Sequence, residues 1–185
     1  VSDCEIEFKF GEWIRMPKKN TSLFSDEQFS DFYRLHRTQV VRYVTRRLRW
    51  DIDDVVEEAF VTAWRKRALI PQAASDQIVW LYAIARRVIA NKVRWRTRLD
   101  LFNRAHEPLI VTSTNGDSEG LTALLVHSAI RRMRPQDREV LLLVEWDGCT
   151  IDEAASVLGI TSSAAGKRIG AARIAFAEQY DKLKL

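Results

Sequence analysis

Between positions 52 and 64 the apolar residues Ile52, Val55, Val56, Ala59, Phe60, Ala63 and Trp64 recur at i, i+3, i+4, i+7, i+8, i+11 and i+12. A helix of 3.6 residues per turn lines these side chains up on one face, and that stripe has to be buried against other helices. The rest of the chain agrees with an all-α fold. Seven Gly and four Pro in 185 residues are too few to punctuate a many-stranded β-sandwich. A hydrophobic fraction of 46%, with six Trp and eight Phe, is ample for packed cores.

The pattern predicts two small helical domains joined by a flexible linker. Ser25-Asp26-Glu27-Gln28 has the form of a capping box and opens a helix along Phe29, Phe32, Tyr33, Val40, Val44 and Leu48, through Arg49. Asp51, Asp53 and Asp54 fall where the positive end of the next helix favours acids. Pro71 breaks the chain, residues 72–76 read as a polar loop, and Ser75 stands where it can cap a third helix carrying Ile78, Leu81, Tyr82, Ala85, Val88 and Ile89. Residues 99–120 lose the period and gather Pro108, Asn115-Gly116 and Asp117-Ser118, a linker composition. Beyond it, Leu121, Leu124, Leu125, Ile130 and Met133 mark a helix stopped at Pro135. Val140, Leu141, Leu143, Val144 and Trp146 mark the next, which ends at Asp147-Gly148. The expected organisation is an arm at 1–22, a helical domain at 23–98, the linker at 99–120 and a second helical domain at 121–185.

Charge is unevenly spread. Residues 29–98 hold fifteen Lys and Arg against seven acids, a net of +8, whereas the whole chain carries +4. Such a segment suits a polyanion partner. Its last part, ARRVIANKVRWRTR, contains Arg86, Arg87, Lys92, Arg94, Arg96 and Arg98 with no acid among them. The cysteines, Cys4 and Cys149, stand in no C-x-x-C pair and near no His pair, so no metal site, other cofactor or disulfide framework is expected. No apolar run approaches about 18 residues. The N-terminus VSDCEIEFKF lacks the basic lead of a signal peptide. The expectation is a cytoplasmic chain without a membrane partner.

The stretch TIDEAASVLGITSSAAGKRIGAAR, from Thr150 to Arg173, has the outline of a helix-turn-helix. Thr150-x-x-Glu153 is a second capping box. Ile151, Ala154, Ala155 and Leu158 give the first short helix an apolar face, Gly159 supplies a sharp turn and Ile160 plugs the angle. On the second helix Ala165, Ile169, Ala172 and Phe176 fall within about 60° of one another. Ser163, Lys167, Gly170 and Ile174 take the opposite face, with Arg168 and Arg173 on its flanks, an arrangement that seats small residues in a groove between phosphates. An ordinary αα-hairpin in a bundle fits the same apolar spacing.

With these segments in view, the chain resembles the sigma-70 family of RNA polymerase sigma factors, and within it the extracytoplasmic-function (ECF) group. RPQDREVLLLVEWDGCTIDEAASVLGITSSAAGKRIGAAR is similar to the family's region 4 pattern LPxxxREVxxLxxxxGxSxxEIAxxLGISxGTVKSRLxRAR. DDVVEEAFVTAWRKR and WLYAIARRVIANKVRWRTR are similar to the region 2 patterns DLVQETFLRAWR and WLxxIARNxxxDxxRxxxR. The resemblance covers about residues 25–98 and 121–180, in the family's order. It implies a non-enzymatic initiation factor whose partners are core RNA polymerase and promoter DNA, with an anti-sigma factor as a further partner.

Carried over residue by residue, the resemblance implies −10 contacts from Gln72, Asp76, Gln77, Trp80, Arg86, Arg87, Asn91, Arg94, Trp95, Arg96 and Arg98. The loop 72–76 aligns with the segment that pockets a flipped base. Aromatics among arginines suit capture of single-stranded DNA, although Tyr82 is expected in the core. It implies −35 contacts from Ser162, Ser163, Ala164, Lys167, Arg168, Ala171 and Arg173. Asp54, Glu57 and Glu58, at i, i+3 and i+4, would dock on core polymerase; a solvated acidic face is the plainer reading of the same spacing. The departures are Arg87 for the family's Asn, Asn91 for its Asp, Gly166 for its usual Lys and Ala171 for one Arg. The last two predict weaker −35 affinity and a flatter salt dependence.

Two rival readings remain open at this point. A stand-alone helix-turn-helix regulator would need a ligand pocket in its N-terminal half. A hydrolase using the acids at 53–58 would need a nucleophile–base pair, and His36, His106 and His127 are scattered. The acid-rich linker is a candidate nucleic-acid mimic in the polymerase RNA channel. Cys4 and Cys149 read as a tail thiol and a buried thiol.

Overall fold

The computed structural model describes residues 24–103 and 118–184. The arm at 1–22 with Cys4, and the middle of the linker with His106, lie outside these residues. The order is α1 (Asp26–Arg47), α2 (Ile52–Arg65), a 3-10 turn (Arg67–Leu69), α3 (Ala74–Asn103), α4 (Ser118–Arg132), α5 (Pro135–Leu141), a π-helical turn (Leu142–Trp146), α6 (Ile151–Leu158) and α7 (Ser162–Lys184). No strand occurs among the described residues. They divide into two compact units, one running to Ile89 and including Ala155–Thr161, the other holding Ala90–Ala154 and the residues from Ser162 on.

In the first unit α1 packs on α2. The Ser25 hydroxyl accepts from the Gln28 backbone N–H at 3.2 Å, and the Gln28 side chain accepts from the Ser25 N–H at 2.9 Å. Both donors would otherwise be orphaned at the helix start, so Ser25→Ala is expected to cost about 1 kcal/mol in urea denaturation. Phe32 centres a ring cluster, with centroids 6.1 Å from Phe24, 5.4 Å from Phe29, 5.0 Å from His36 and 6.3 Å from Phe60. Tyr82 is in the core, stacked on Tyr43 at 4.5 Å. Among the described residues Asp51 is the one non-glycine with a positive φ, 50°, and it turns the chain from α1 into α2.

Ser75 is not the cap of α3. The helix starts one residue earlier, and the Ala73 carbonyl accepts from the Asp76 and Gln77 N–H groups at 3.0 and 3.1 Å. The Ser75 hydroxyl turns sideways to Asp76. At its other end α3 continues over 99–103, because losing an apolar period does not stop a helix that meets no Gly or Pro. Likewise α4 begins at Ser118.

In the second unit α7 packs on α4 and α5. The apolar spacing predicts one helix along Val140–Trp146; instead α5 widens into the π-helical turn, with the Asp147 N–H donating to the Leu142 carbonyl at 2.9 Å. That turn buries Leu142 beside Leu143 and leaves Trp146 39% exposed. In α6 the core residues are Ala154, Ala155 and Val157, while Ile151 is 42% exposed and Leu158 and Ile160 are half-buried. The Thr150–Glu153 capping box forms, with bonds of 2.7 and 3.2 Å, and Gly159 takes φ +68° at the turn.

Candidate nucleic-acid interface

The basic part of α3 separates into two sides. Arg87, Asn91, Arg94 and Arg98 sit at i, i+4, i+7 and i+11, within about 60° of one another, with Trp95 next to them. All five are exposed, Trp95 at 66%. Arg94 is held along the helix, donating from Nη2 to Asn91 Oδ1 at 2.6 Å and from Nε to the Ala90 carbonyl at 3.2 Å. Arg86, Lys92 and Arg96 lie off this stripe and are half-buried.

Cations crowd the start of the stripe. Partial burial of its exposed side chain lowers the Arg87 guanidinium from its ordinary value, and Arg86 adds repulsion. Lys66, at the end of α2, is lowered by burial and then by Arg87.

Two residues expected on this face are elsewhere. Trp80 is only 5% exposed: it stands seven residues before Arg87, in the half of α3 that is core. Gln77 is also buried, because its amide is needed inside the fold, bonded to His36 and to the Pro71 carbonyl. Gln72 is exposed in the short turn before α3 and Asp76 in the first turn of α3 itself, so the expected loop 72–76 is non-helical only at 72–73 because the helix already begins at Ala74.

On α7, Ser162, Ser163, Lys167, Gly170, Ala171 and Ile174 are exposed, whereas Ala165, Ile169 and Ala172 are buried. Ala164 and Arg168 are half-buried. Arg173 is exposed but engaged, its Nε and Nη2 donating to Glu145 Oε1 at 2.9 and 2.7 Å. That leaves Lys167 as the exposed cation on the outer face, while the helix N-terminus adds backbone N–H groups suited to phosphate. A Cβ added at Gly166 would meet nothing nearer than Ile151 Cγ2 at 4.0 Å. Gly166→Ala is therefore expected to raise stability by about 1 kcal/mol, read as a higher midpoint in thermal unfolding.

Asp54, Glu57 and Glu58 are exposed on one side of α2, with Val61 among them at 46%. Glu57 is tied to α1: the Tyr33 hydroxyl donates to Glu57 Oε1 at 3.0 Å and itself accepts from Arg37 Nε at 3.0 Å. That bond to Tyr33, followed by the nearby carboxylates, raises the Arg37 pKa above its ordinary value. Among the described residues no group of three His, Cys, Asp or Glu could hold a metal. Cys149 is a buried thiol. No helix among those residues is long and apolar enough to cross a membrane.

A basic helix face bearing an exposed indole, and a helix-turn-helix further along, have the chemistry of a nucleic-acid-binding surface on an all-helical scaffold. Residues 32–99 match Sigma-70 region 2 and residues 123–176 match Sigma-70, region 4. The chain belongs to the sigma-70 family of RNA polymerase sigma factors, in its ECF group. It is 30% identical over 137 residues to the RNA polymerase sigma factor CnrH of Cupriavidus metallidurans, covering 66% of this chain and 70% of that one. It is 28% identical over 142 residues to the ECF RNA polymerase sigma factor BldN of Streptomyces coelicolor, covering 72% and 53%. A probable RNA polymerase sigma factor, RfaY, of Xanthomonas campestris is 30% identical over 132 residues, or 65% of this chain; the match spans 32% of that relative's length. The fold is similar to that of the sigma factor RpoE in its co-crystal with the anti-sigma factor NepR from Bartonella quintana. The TM-score is 0.71 at 18% identity, with 84% of this chain and 98% of that chain covered.

Proposed function

We propose that this chain binds core RNA polymerase and directs promoter-specific initiation, α3 and the turn that leads into it serving the −10 element and α7 the −35 element. The observation that carries this reading is the stripe of Arg87, Asn91, Arg94, Trp95 and Arg98, which joins phosphate-binding cations to an exposed ring on one helix face. The acidic side of α2, with Asp54, Glu57 and Glu58, is the polymerase-docking face, and Glu57 also braces α1. Polymerase supplies the chemistry and this chain the recognition, so it is not an enzyme and works where the chromosome is, in the cytoplasm. An anti-sigma partner is part of this reading, by likeness to the NepR-bound relative. Region 4 plays the lesser part in promoter affinity: Gly166 and Ala171 offer phosphates nothing, and Arg173 must first leave Glu145.

Run-off transcription with purified core polymerase on promoters of the source genome tests this. Specific transcripts that appear only when the chain is added are the expected result; operator footprints without polymerase, and no transcripts, would support a free-standing regulator instead.

A further inference from the structure

Tyrosines aside, the described residues contain two buried polar side chains, His36 at 3% and Gln77 at 9% exposure, and they are bonded to each other. The Gln77 Nε2 donates to the Pro71 carbonyl at 2.9 Å. Because a carbonyl only accepts, the amide nitrogen must face Pro71 and the amide oxygen must face His36. His36 therefore carries a proton on Nε2, which donates to Gln77 Oε1 at 3.0 Å, while Nδ1 faces the exposed Gln39 side chain at 3.3 Å.

One side-chain amide thus ties the chain entering the turn at 72–73 to the first turn of α3. Ile70 and Pro71 on one side and Gln77 on the other are buried, and the five residues between them are exposed. The tie reaches α1 as well, since His36 stands 41 positions before Gln77 and its ring packs edge-on to Phe32 at 5.0 Å. The 72–76 segment is consequently fixed to the helix that packs on α2, not only to its own neighbours.

We propose that His36 and Gln77 are positioning residues: a buried clasp that holds segment 72–76, the turn at 72–73 and the first turn of α3, in the shape that receives an unpaired −10 base. This inference rests on the promoter-opening reading given above. A loop that must replace the stacking of a flipped base works best when its own shape costs nothing to form at the moment of capture. Breaking either bond leaves a polar group unsatisfied in the core, which couples the two bonds strongly.

The test uses holoenzyme assembled from the full chain, with wild type, His36→Leu, His36→Gln and Gln77→Glu. His36→Gln keeps an N–H donor near the Nε2 position. Gln77→Glu keeps the acceptor for His36 but puts an oxygen against the Pro71 carbonyl. Three quantities are measured: affinity for core polymerase, permanganate reactivity of −10 thymines, and hydrogen exchange of the peptide covering 70–78 in the free chain. In His36→Leu and Gln77→Glu the expected result is opening reduced about tenfold and faster exchange in 70–78, with core affinity within about twofold. His36→Gln recovers most of both. Equal loss in His36→Leu and His36→Gln, or unchanged exchange in 70–78, would overturn the clasp. Should His36→Leu fail to fold, Gln77→Glu against wild type decides by the same criteria. If wild type opens no promoter while 70–78 still responds to the variants, the promoter-opening reading falls, and with it the clasp's role in base capture.

Discussion

Trp95→Ala is expected to lower promoter opening by about 5- to 150-fold in holoenzyme, with little change in the stability of the free chain. Stacking of a base on an aromatic side chain is worth about 1–3 kcal/mol, which sets that range. The indole is 66% exposed, so it contributes little to the core and its removal leaves no cavity. It also stands beside Arg94 and Arg98, which can bring a phosphate backbone to the ring. Trp95→Phe should retain most of the activity. Changing both Arg94 and Arg98 to alanine should behave differently, lowering affinity for all DNA and reducing the salt slope by about 2. Fluorescence anisotropy against a salt series, beside permanganate footprinting, separates the two effects. Full opening by Trp95→Ala would remove the indole from the interface.

Phe32→Ala is expected to destabilise the first unit by about 3–5 kcal/mol, measured by urea denaturation. The ring is 3% exposed and touches rings from its own helix, from the entry to it and from α2. Removing it opens a cavity at the place where α1 meets α2. Against a typical total of about 5–15 kcal/mol, that loss leaves the unit close to unfolding. Leu35→Ala, three residues further along and 61% exposed, should change stability by less than about 0.5 kcal/mol. A small effect at Phe32 would mean that the ring cluster collapses around the gap at little cost.

The parts of this fold that were legible in the sequence are those governed by local rules. The α2 stripe, both capping boxes and the Gly159 turn need only spacing and the chemistry of a few neighbouring residues. His36 was within reach too: it continues the Phe32, His36, Val40, Val44 step of four, but a histidine does not read as core until a partner is known. That partner, Gln77, lies across the unit, and no local rule connects positions 36 and 77. The same limit explains Gln77 and Trp80. Their residue types suit base recognition, yet tertiary packing turned both inward. The exposed stripe on α3 could have been found by wheel geometry alone, since Arg87, Asn91, Arg94 and Arg98 share a face that Arg86, Lys92 and Arg96 do not. Arg173 was a different case: its engagement depends on Glu145, 28 residues away, after a turn whose pitch the sequence does not announce.

That pitch has a consequence for phase. In an unbroken α-helix Glu145 would stand one turn after Leu141 and would share its buried side. The five residues Leu142–Trp146 wind more widely and slip the pattern out of step, so the carboxylate emerges at the surface, within reach of Arg173. The wide turn thus works as a phase shifter. It lets one short run of chain supply the interior first and the outer surface next, and in doing so it sets how much positive charge the last long helix has left to present.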